Sequence, residues 1–239
     1  MCGRYAVYKK VAEIEEEYNL DSSENTEYEA NYNISPGDKA PVITNTNPKK
    51  LSFFRFGLCP HWAKKPMYLF NARSEGDFNK ENDILYQGEK GIKDKPSFRK
   101  PIRSQRCLIP ANGFIEGDSK EKLNKPFWVY PVEKDLLFSF AGIWDTWVSQ
   151  ETGEMFDTFA IITTTPNQLL QKIPHHRSPV ILNKEDEKKW LSDIHLDEIL
   201  DLLKPFPDKM MQAYPIDKQI KNPRVNSPGL LKAVGETIF

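Results

Sequence analysis

Cysteine is scarce in this chain: 239 residues contain three, at positions 2, 59 and 107. An odd count without short regular spacing argues against a disulfide framework and fits a reducing compartment, cytoplasm or nucleus. Long hydrophobic runs are also missing. No stretch approaches the ~20 apolar residues of a membrane span, and the N-terminus, MCGRYAVYKKVAEIEEEYNL, soon turns acidic instead of building a signal-peptide core. A soluble, unexported protein is expected, with no membrane partner. Net charge is nearly absent, since 33 Lys plus Arg face 34 Asp plus Glu. There is therefore no global pull toward polyanions, and any nucleic-acid site must be local. Metal-ligand spacing is lacking too. Cys59-Pro60-His61 sets two potential ligands together, but no second pair follows at zinc-site spacing. Cys59 and Cys107 lie in apolar runs, where free cysteine behaves as a small buried hydrophobe; neither metal nor cofactor is expected.

Val11, Ile14 and Tyr18 recur at helical spacing among charged residues, so Lys10 to Leu20 reads as an amphipathic helix. Apolar or alternating runs at Pro41 to Thr44, Leu51 to Leu58, Arg106 to Pro110, Phe127 to Tyr130, Leu136 to Val148 and Phe156 to Thr164 read as strands. Thr165-Pro166-Asn167-Gln168 offers an N-cap, a proline at the first helical position and a capping-box glutamine. Lys184 to Leu191 and Leu196 to Lys204 complete the helices. Strands in the middle and helices toward the ends, without regular alternation, predict an α+β fold with mostly antiparallel sheet. The length suits one large domain or two small ones. Because Gly76 to Lys95 is polar with few apolar anchors, it reads as a surface excursion rather than a linker, and one domain spanning 1–239 is expected. Asn222 to Phe239, with Pro223, Pro228 and Gly229, reads as an extended strap.

Cys2 carries the most unusual chemistry. Removal of Met1, which small second residues generally permit, exposes an α-amine and a thiol on adjacent carbons. With reference pKa values near ~8 and ~8.5, both nucleophiles are partly available at neutral pH. An aldehyde meeting the pair forms an imine with nitrogen, then accepts sulfur to close a thiazolidine. Well-oriented ring closures reach effective molarities of order 10⁵ to 10⁸ M, so the ring outlasts an open imine. Taken singly, Cys2 is equally an ordinary terminal residue. Glu116, in Ala111-Asn112-Gly113-Phe114-Ile115-Glu116-Gly117, is either a desolvated acid-base group or a turn carboxylate. His175, in Ile173-Pro174-His175-His176-Arg177-Ser178-Pro179, suits an anionic site or a solvated pair. Asn71 and Arg73 would orient a substrate and grip a phosphate, or serve as a turn amide and a surface ion pair. From Lys90 to Arg106 seven basic residues face one acid, Asp94, a run that tracks phosphates or only solvates a face; Trp62 or Phe98 would add a stacking surface.

Together, Met1-Cys2-Gly3-Arg4, Tyr32-Asn33-Ile34-Ser35-Pro36, Asn71-Ala72-Arg73, Arg106-Cys107-Leu108-Ile109-Pro110-Ala111, Gly113-Phe114-Ile115-Glu116 and His175-His176-Arg177-Ser178-Pro179-Val180-Ile181-Leu182 resemble the SRAP family, the SOS-response-associated peptidases, in order and spacing. The resemblance implies one α+β domain whose antiparallel sheets curl into a barrel-like core, and a groove for single-stranded DNA around an abasic site. It implies that Cys2 is the covalent residue, that Asn71 positions its amine, and that Glu116 and His175 handle the proton transfers, with His175 the first choice for opening the sugar ring. Arg4, Arg73 and Arg177 fall at positions suited to phosphates, with Pro36 and Trp62 as further DNA contacts. The expected partner is abasic single-stranded DNA, bound by a monomer in a nucleoid-associated or nuclear setting. Its activity would be self-cross-linking, with DNA lyase chemistry or removal of its own Met1 as further options.

There are departures. Gly117 stands where the family usually carries Trp, which leaves the shape of the groove and its strand preference open. Ser178 replaces a usual Met, Pro174 a usual Ile, and Gly76 to Lys95 is longer than common. Two other classes compete. One is a cysteine peptidase in which Cys2 attacks a peptide carbonyl, and the other is a non-covalent single-strand binder with an inert Cys2. A nucleophile at position 2 gains a free amine, which favours aldehyde chemistry over peptide cleavage.

Overall fold

Alternating and continuous apolar runs rich in Val, Ile and Phe give this chain its strands, and in a computed structural model they close on one another. Residues 2–22, 28–133 and 136–239 are described. In chain order the strands are β1 (Tyr5–Val7), β2 (Asn31–Ile34), β3 (Lys39–Thr44), β4 (Asn47–Phe56), β5 (Asn71–Arg73), β6 (Arg106–Ala111), β7 (Gly113–Gly117), β8 (Pro126–Pro131), β9 (Phe138–Val148), β10 (Met155–Thr164), β11 (Ser178–Pro179), β12 (Ile181–Leu182) and β13 (Met211–Pro215). The helices are α1 (Val11–Glu17), α2 (Pro101–Ser104), α3 (Gln168–Lys172), α4 (Lys184–Leu191) and α5 (Leu196–Asp201).

Strand β3 pairs with β4, β4 with β10, β10 with β9, β9 with β6, and β6 with β3 again. These five strands form a closed barrel, so none of them presents a bare edge. The fold is the expected single α+β domain with a barrel core. One departure from the antiparallel expectation matters: β10 runs parallel to both β4 and β5. Inside, Phe56 stacks on Phe159 at 5.2 Å between ring centres, and Tyr5 meets Phe56 and Phe140 edge-on at 5.5 and 5.7 Å. Each buried ring contributes roughly 1.5–3 kcal/mol through area alone. A second sheet, ordered β13-β8-β7-β1-β2, leans on the barrel. Its Tyr5 plugs into the barrel core, which fixes the first residues of the chain.

Strand β10 outgrows the barrel. Its first half pairs with β4 and β9, whereas its last residues, Ile161 to Thr164, pair with Asn71–Arg73 on one edge and with Ser178–Pro179 on the other. Those flanking segments hold the Asn71 and His175 motifs.

Several boundaries differ from the sequence reading. α3 is capped not by Thr165 but by Asn167, whose side chain accepts from the Leu170 amide at 3.0 Å. Asn is among the strongest N-caps, and here its Nδ2 also donates to the Phe206 carbonyl at 3.0 Å. Within Gly76 to Lys95, Asn79, Gly91 and Ile92 are buried. The Ile92 amide donates to the Ser74 carbonyl at 3.1 Å. Gly76, at φ +56°, lies so near Gly91 that a Cβ would come within 2.7 Å of its carbonyl carbon, so only glycine fits. The strap beyond Asn222 bridges back to β13 through Ala213 with Ile238 and Ile216 with Ala233. Among the described residues no helix is long and apolar enough to cross a membrane.

The cap assignment is testable. Asn167→Ala should cost about 1–2 kcal/mol in urea unfolding, and Thr165→Ala clearly less; the reverse order would restore Thr165 as the cap.

Candidate active site around Cys2

Strand β1 is held in register by β7: Tyr5 faces Phe114, and the Ile115 amide donates to the Arg4 carbonyl at 2.9 Å. Continuing that antiparallel register brings Cys2 alongside the end of β7, where Glu116 sits. Cys2 is buried, 1% exposed. Burial first, and then the charge of Glu116, push its thiol well above the usual range. From the other side, Asn71 at the start of β5 donates from Nδ2 to the Cys2 carbonyl at 2.9 Å and to the Phe70 carbonyl at 3.0 Å. Asn71 Oδ1 is buried and meets no hydrogen-bond partner among the described residues.

His175 is delivered by α3, since its amide donates to the Leu170 carbonyl at 2.9 Å. Its Nδ1 lies 2.8 Å from the Gly117 carbonyl and its Nε2 lies 3.3 Å from Glu116 Oε2. A carbonyl only accepts, so Nδ1 carries the hydrogen, and in a neutral ring Nε2 is then an acceptor. Burial pushes His175 down to about 4, and that of Glu116 raises its carboxyl to about 7. An acceptor nitrogen facing a carboxyl oxygen is satisfied when the carboxyl keeps its proton. The raised carboxyl of Glu116, at about 7, suits that arrangement. His176 stacks on His175 at 5.2 Å and is also pushed to about 4, by burial and by the positive charges around it.

Glu116 and His175 line a cleft of about 610 Å³, together with Gly3, Arg4, Arg73 and Arg177. Pro36 stands on its exposed rim, and Asn82 brings the 76–95 segment to its edge. The three arginines differ. Arg4 is tied by Nη1 to Asn33 Oδ1 at 2.6 Å and to the Ile220 carbonyl at 3.0 Å, and by Nη2 to the Lys221 carbonyl at 3.1 Å. Arg73 donates through Nη2 to the Asn79 carbonyl. Arg177 is 2% exposed and pairs through Nη2 with Glu75 Oε2 at 2.8 Å. Trp62 is half-exposed over the Pro96 carbonyl and does not line the cleft, nor does the basic run from Lys90 to Arg106. Much of that run serves the fold: buried Arg106 donates to the Trp190 and Ser192 carbonyls at 2.8 and 2.7 Å, and Lys95 meets Asp77 at 2.6 Å. His61, considered above as a metal ligand, instead bonds Asp145 at 2.8 Å. Among the described residues no three His, Cys, Asp or Glu side chains gather as a metal site.

A sequence profile described as SOS response associated peptidase (SRAP) matches residues 1–223. The chain belongs to the SRAP family. YoqW of Bacillus subtilis (strain 168), named an abasic site processing protein, is 34% identical across 98% of this chain and 100% of its own length. HMCES of Xenopus tropicalis, with the same description, is 24% identical across 90% of this chain and 70% of its own. A crystal structure of a protein from Bacteroides thetaiotaomicron superposes with a TM-score of 0.81 at 31% identity, covering 98% of this chain and 100% of that one. At Gly117, where the resemblance led us to expect tryptophan, a Cβ would overlap the Lys122 carbonyl oxygen and come within 3.1 Å of that of Lys125. The 118–125 loop folds over the position a tryptophan would need. Glu75 and His176 were not singled out from sequence. Glu75 follows the Asn71 motif by two residues, but nothing in its neighbours signals that it is buried.

Two outcomes follow. Gly117→Trp should lower the melting temperature by several degrees, because the 118–125 backbone must move; unchanged melting would mean the loop yields freely. The second concerns pH. Unfolded, Glu titrates near ~4.3 and His near ~6.5. With its folded pKa raised to about 7, Glu116 contributes stability at low pH that is lost as pH rises toward 7. His175 and His176, pushed to about 4, contribute stability above ~6.5 that is lost as pH falls through that window. Glu116→Gln removes only the first effect. Its stability relative to wild type should climb between about pH 4.5 and 7 by up to ~1.4 kcal/mol per pH unit. Parallel urea-midpoint profiles would show that the carboxyl titrates normally.

Proposed function

We propose that the protein processes abasic sites in single-stranded DNA by cross-linking itself to them as a thiazolidine through Cys2. One observation carries this reading: the Asn71 amide grips the Cys2 backbone at 2.9 Å, beside a cleft lined by the Glu116 carboxyl and the His175 imidazole, which lie 3.3 Å apart. Removal of Met1 frees the Cys2 nitrogen, and the buried, unsatisfied Asn71 Oδ1 supplies an acceptor to orient that amine. The names of its relatives point to the same lesion.

An abasic deoxyribose is mostly a closed hemiacetal, so a proton must reach the ring oxygen while the anomeric hydroxyl loses one before an aldehyde exists. Because burial keeps His175 neutral, the carboxyl proton of Glu116 serves here rather than a standing imidazolium. The neutral amine then adds to the carbonyl carbon, and the carbinolamine loses its hydroxyl as water when the pair returns a proton, leaving the imine. Sulfur adds last: the thiol proton passes to ionised Glu116, the C–S bond forms as the C=N π pair moves onto nitrogen, and Glu116 hands the proton to that nitrogen, which becomes the ring's secondary amine. Overall, aldehyde and aminothiol give thiazolidine and one water. Holding the thiol protonated until that step suits an order in which nitrogen attacks first. It also argues against the peptidase reading, which needs a ready thiolate. Every group in the scheme comes from one chain, in keeping with a monomer. Phosphate contacts from the arginines of the cleft would place the strand without selecting sequence.

The test is a denaturing gel of the processed protein with an oligonucleotide bearing one abasic site, beside intact mass to score Met1. Wild type should give a shifted covalent band. Cys2→Ala should give none, and Glu116→Gln, His175→Ala and Asn71→Ala should slow its appearance by ~100-fold or more. Equal cross-linking by Cys2→Ala would sink the reading, and salt-sensitive binding with no covalent product would put the non-covalent binder in its place.

A further inference from the structure

Arg177 poses a problem that the cross-linking scheme does not solve. Its guanidinium is 2% exposed, yet Nε and Nη1 are buried without a hydrogen-bond partner among the described residues. Buried donors are nearly always paired, and an orphaned charged donor costs more than a neutral one. Only Nη2 is spoken for, by Glu75 Oε2 at 2.8 Å and by Thr163 Oγ1 at 3.2 Å. Glu75 is wholly buried, and its Oε1 accepts from Thr164 Oγ1 at 3.3 Å. Burial alone would raise this carboxyl, but the charge and hydrogen bond of Arg177 outweigh it and hold the group below its usual range, as a carboxylate.

The backbone explains how the two meet. Glu75 lies two residues beyond β5 and Arg177 one residue before β11, and these strands flank β10, with Arg73 opposite Thr163 and Ser178 opposite Thr164. The Ser74 amide donates to the Thr163 carbonyl at 2.8 Å, which fixes the turn into Glu75. Thr163 and Thr164 thus supply the hydroxyls between carboxylate and guanidinium. The pair is built into the end of the sheet, with the guanidinium in the cleft wall and the carboxylate behind it. Arg4 differs: three acceptors already occupy its two Nη atoms. Arg73 also keeps a buried Nε without a partner among the described residues, so what sets Arg177 apart is its dedicated buried carboxylate.

We propose that Glu75 is a positioning residue that holds the Arg177 guanidinium as a rigid seat for one backbone phosphate of the bound strand. This rests on the DNA reading above, but the seat itself requires only an anion. Glu75 touches neither DNA nor the reacting sugar. It acts by fixing Nη2, which leaves Nε and Nη1 as the donors for the phosphate, and by balancing a cation that would otherwise be buried alone.

Two measurements test it. On a Cys2→Ala background, which prevents covalent capture, the affinity for an abasic single-stranded oligonucleotide is followed against salt. Arg177→Ala should weaken binding and flatten the log–log salt slope by about 0.7, the loss of one phosphate contact. Glu75→Ala should reproduce that change, and the double variant should show no more than either single one. Should Glu75→Ala fail to fold, Glu75→Gln, which keeps the shape and one acceptor oxygen, carries the test and should still flatten the slope. In the second arm, inorganic phosphate should raise the melting temperature of the wild-type chain, but not that of Arg177→Ala or Glu75→Gln. A wild-type salt slope and phosphate response in a folded Glu75 variant overturns the proposal, as does a double variant that loses twice the slope. A phosphate response that depends on Glu75, in a wild-type protein that binds no DNA, keeps the seat and removes the DNA reading instead.

Discussion

The double service of β10 is the constraint on which the rest of this molecule depends. A strand offers hydrogen bonds along two edges, and here both edges are used twice. Its first half closes the barrel between β4 and β9, and its last residues accept β5 and the short β11. The barrel makes β10 rigid, with Phe159 and Ile161 fully buried. Any segment hydrogen-bonded to its end inherits that rigidity. Asn71 and Arg73 come in on one side, and His175 to Arg177 on the other.

Cys2 reaches the same place by another route. It lies outside any strand, but β1 is gripped by β7 and β2, and Tyr5 is locked among Phe56 and Phe140 in the barrel core. A chain terminus is ordinarily the least ordered part of a domain. Here it is pinned three residues away by an aromatic in the core, and then by Asn71. The Glu116 carboxyl and the His175 ring are brought from β7 and from the segment after α3, and meet at 3.3 Å.

The electrostatics of the cleft divide in two. Near Cys2, burial dominates: it pushes the thiol and the Glu116 carboxyl up and the His175 imidazole down, each toward its uncharged form. Around them stand Arg4, Arg73 and Arg177, each braced by the fold to a different degree. The cleft carries its positive charge on its walls. It does so although the chain as a whole has a formal charge of −1.

Much of this was legible in the residues alone, and the reason is local. Strands and amphipathic helices announce themselves by period, so the cores of β3, β4, β6, β8, β9 and β10 and nearly all of α4 fall where the pattern puts them. The aminothiol of Cys2 is a property of covalent position, and the family resemblance singled out Asn71, Glu116 and His175, which the fold brings to the neighbourhood of Cys2. Sequence could not set Asn167 rather than Thr165 as the cap of α3, because both are capping residues and the choice rests on Leu170 and Phe206. Nor could it separate a buried arginine from an exposed one. Arg106 sits in a basic run that reads as a solvated face, yet it is buried against the Trp190 and Ser192 carbonyls, and Arg177, read as a phosphate contact, is buried with one nitrogen held by Glu75. Closure of the barrel through a parallel β10–β4 pairing, the overlap that makes Gly117 obligatory and the 3.3 Å contact between Glu116 and His175 all arise where segments far apart in the chain meet. Their free energies depend on burial and distance across the fold, which no local run of residues encodes.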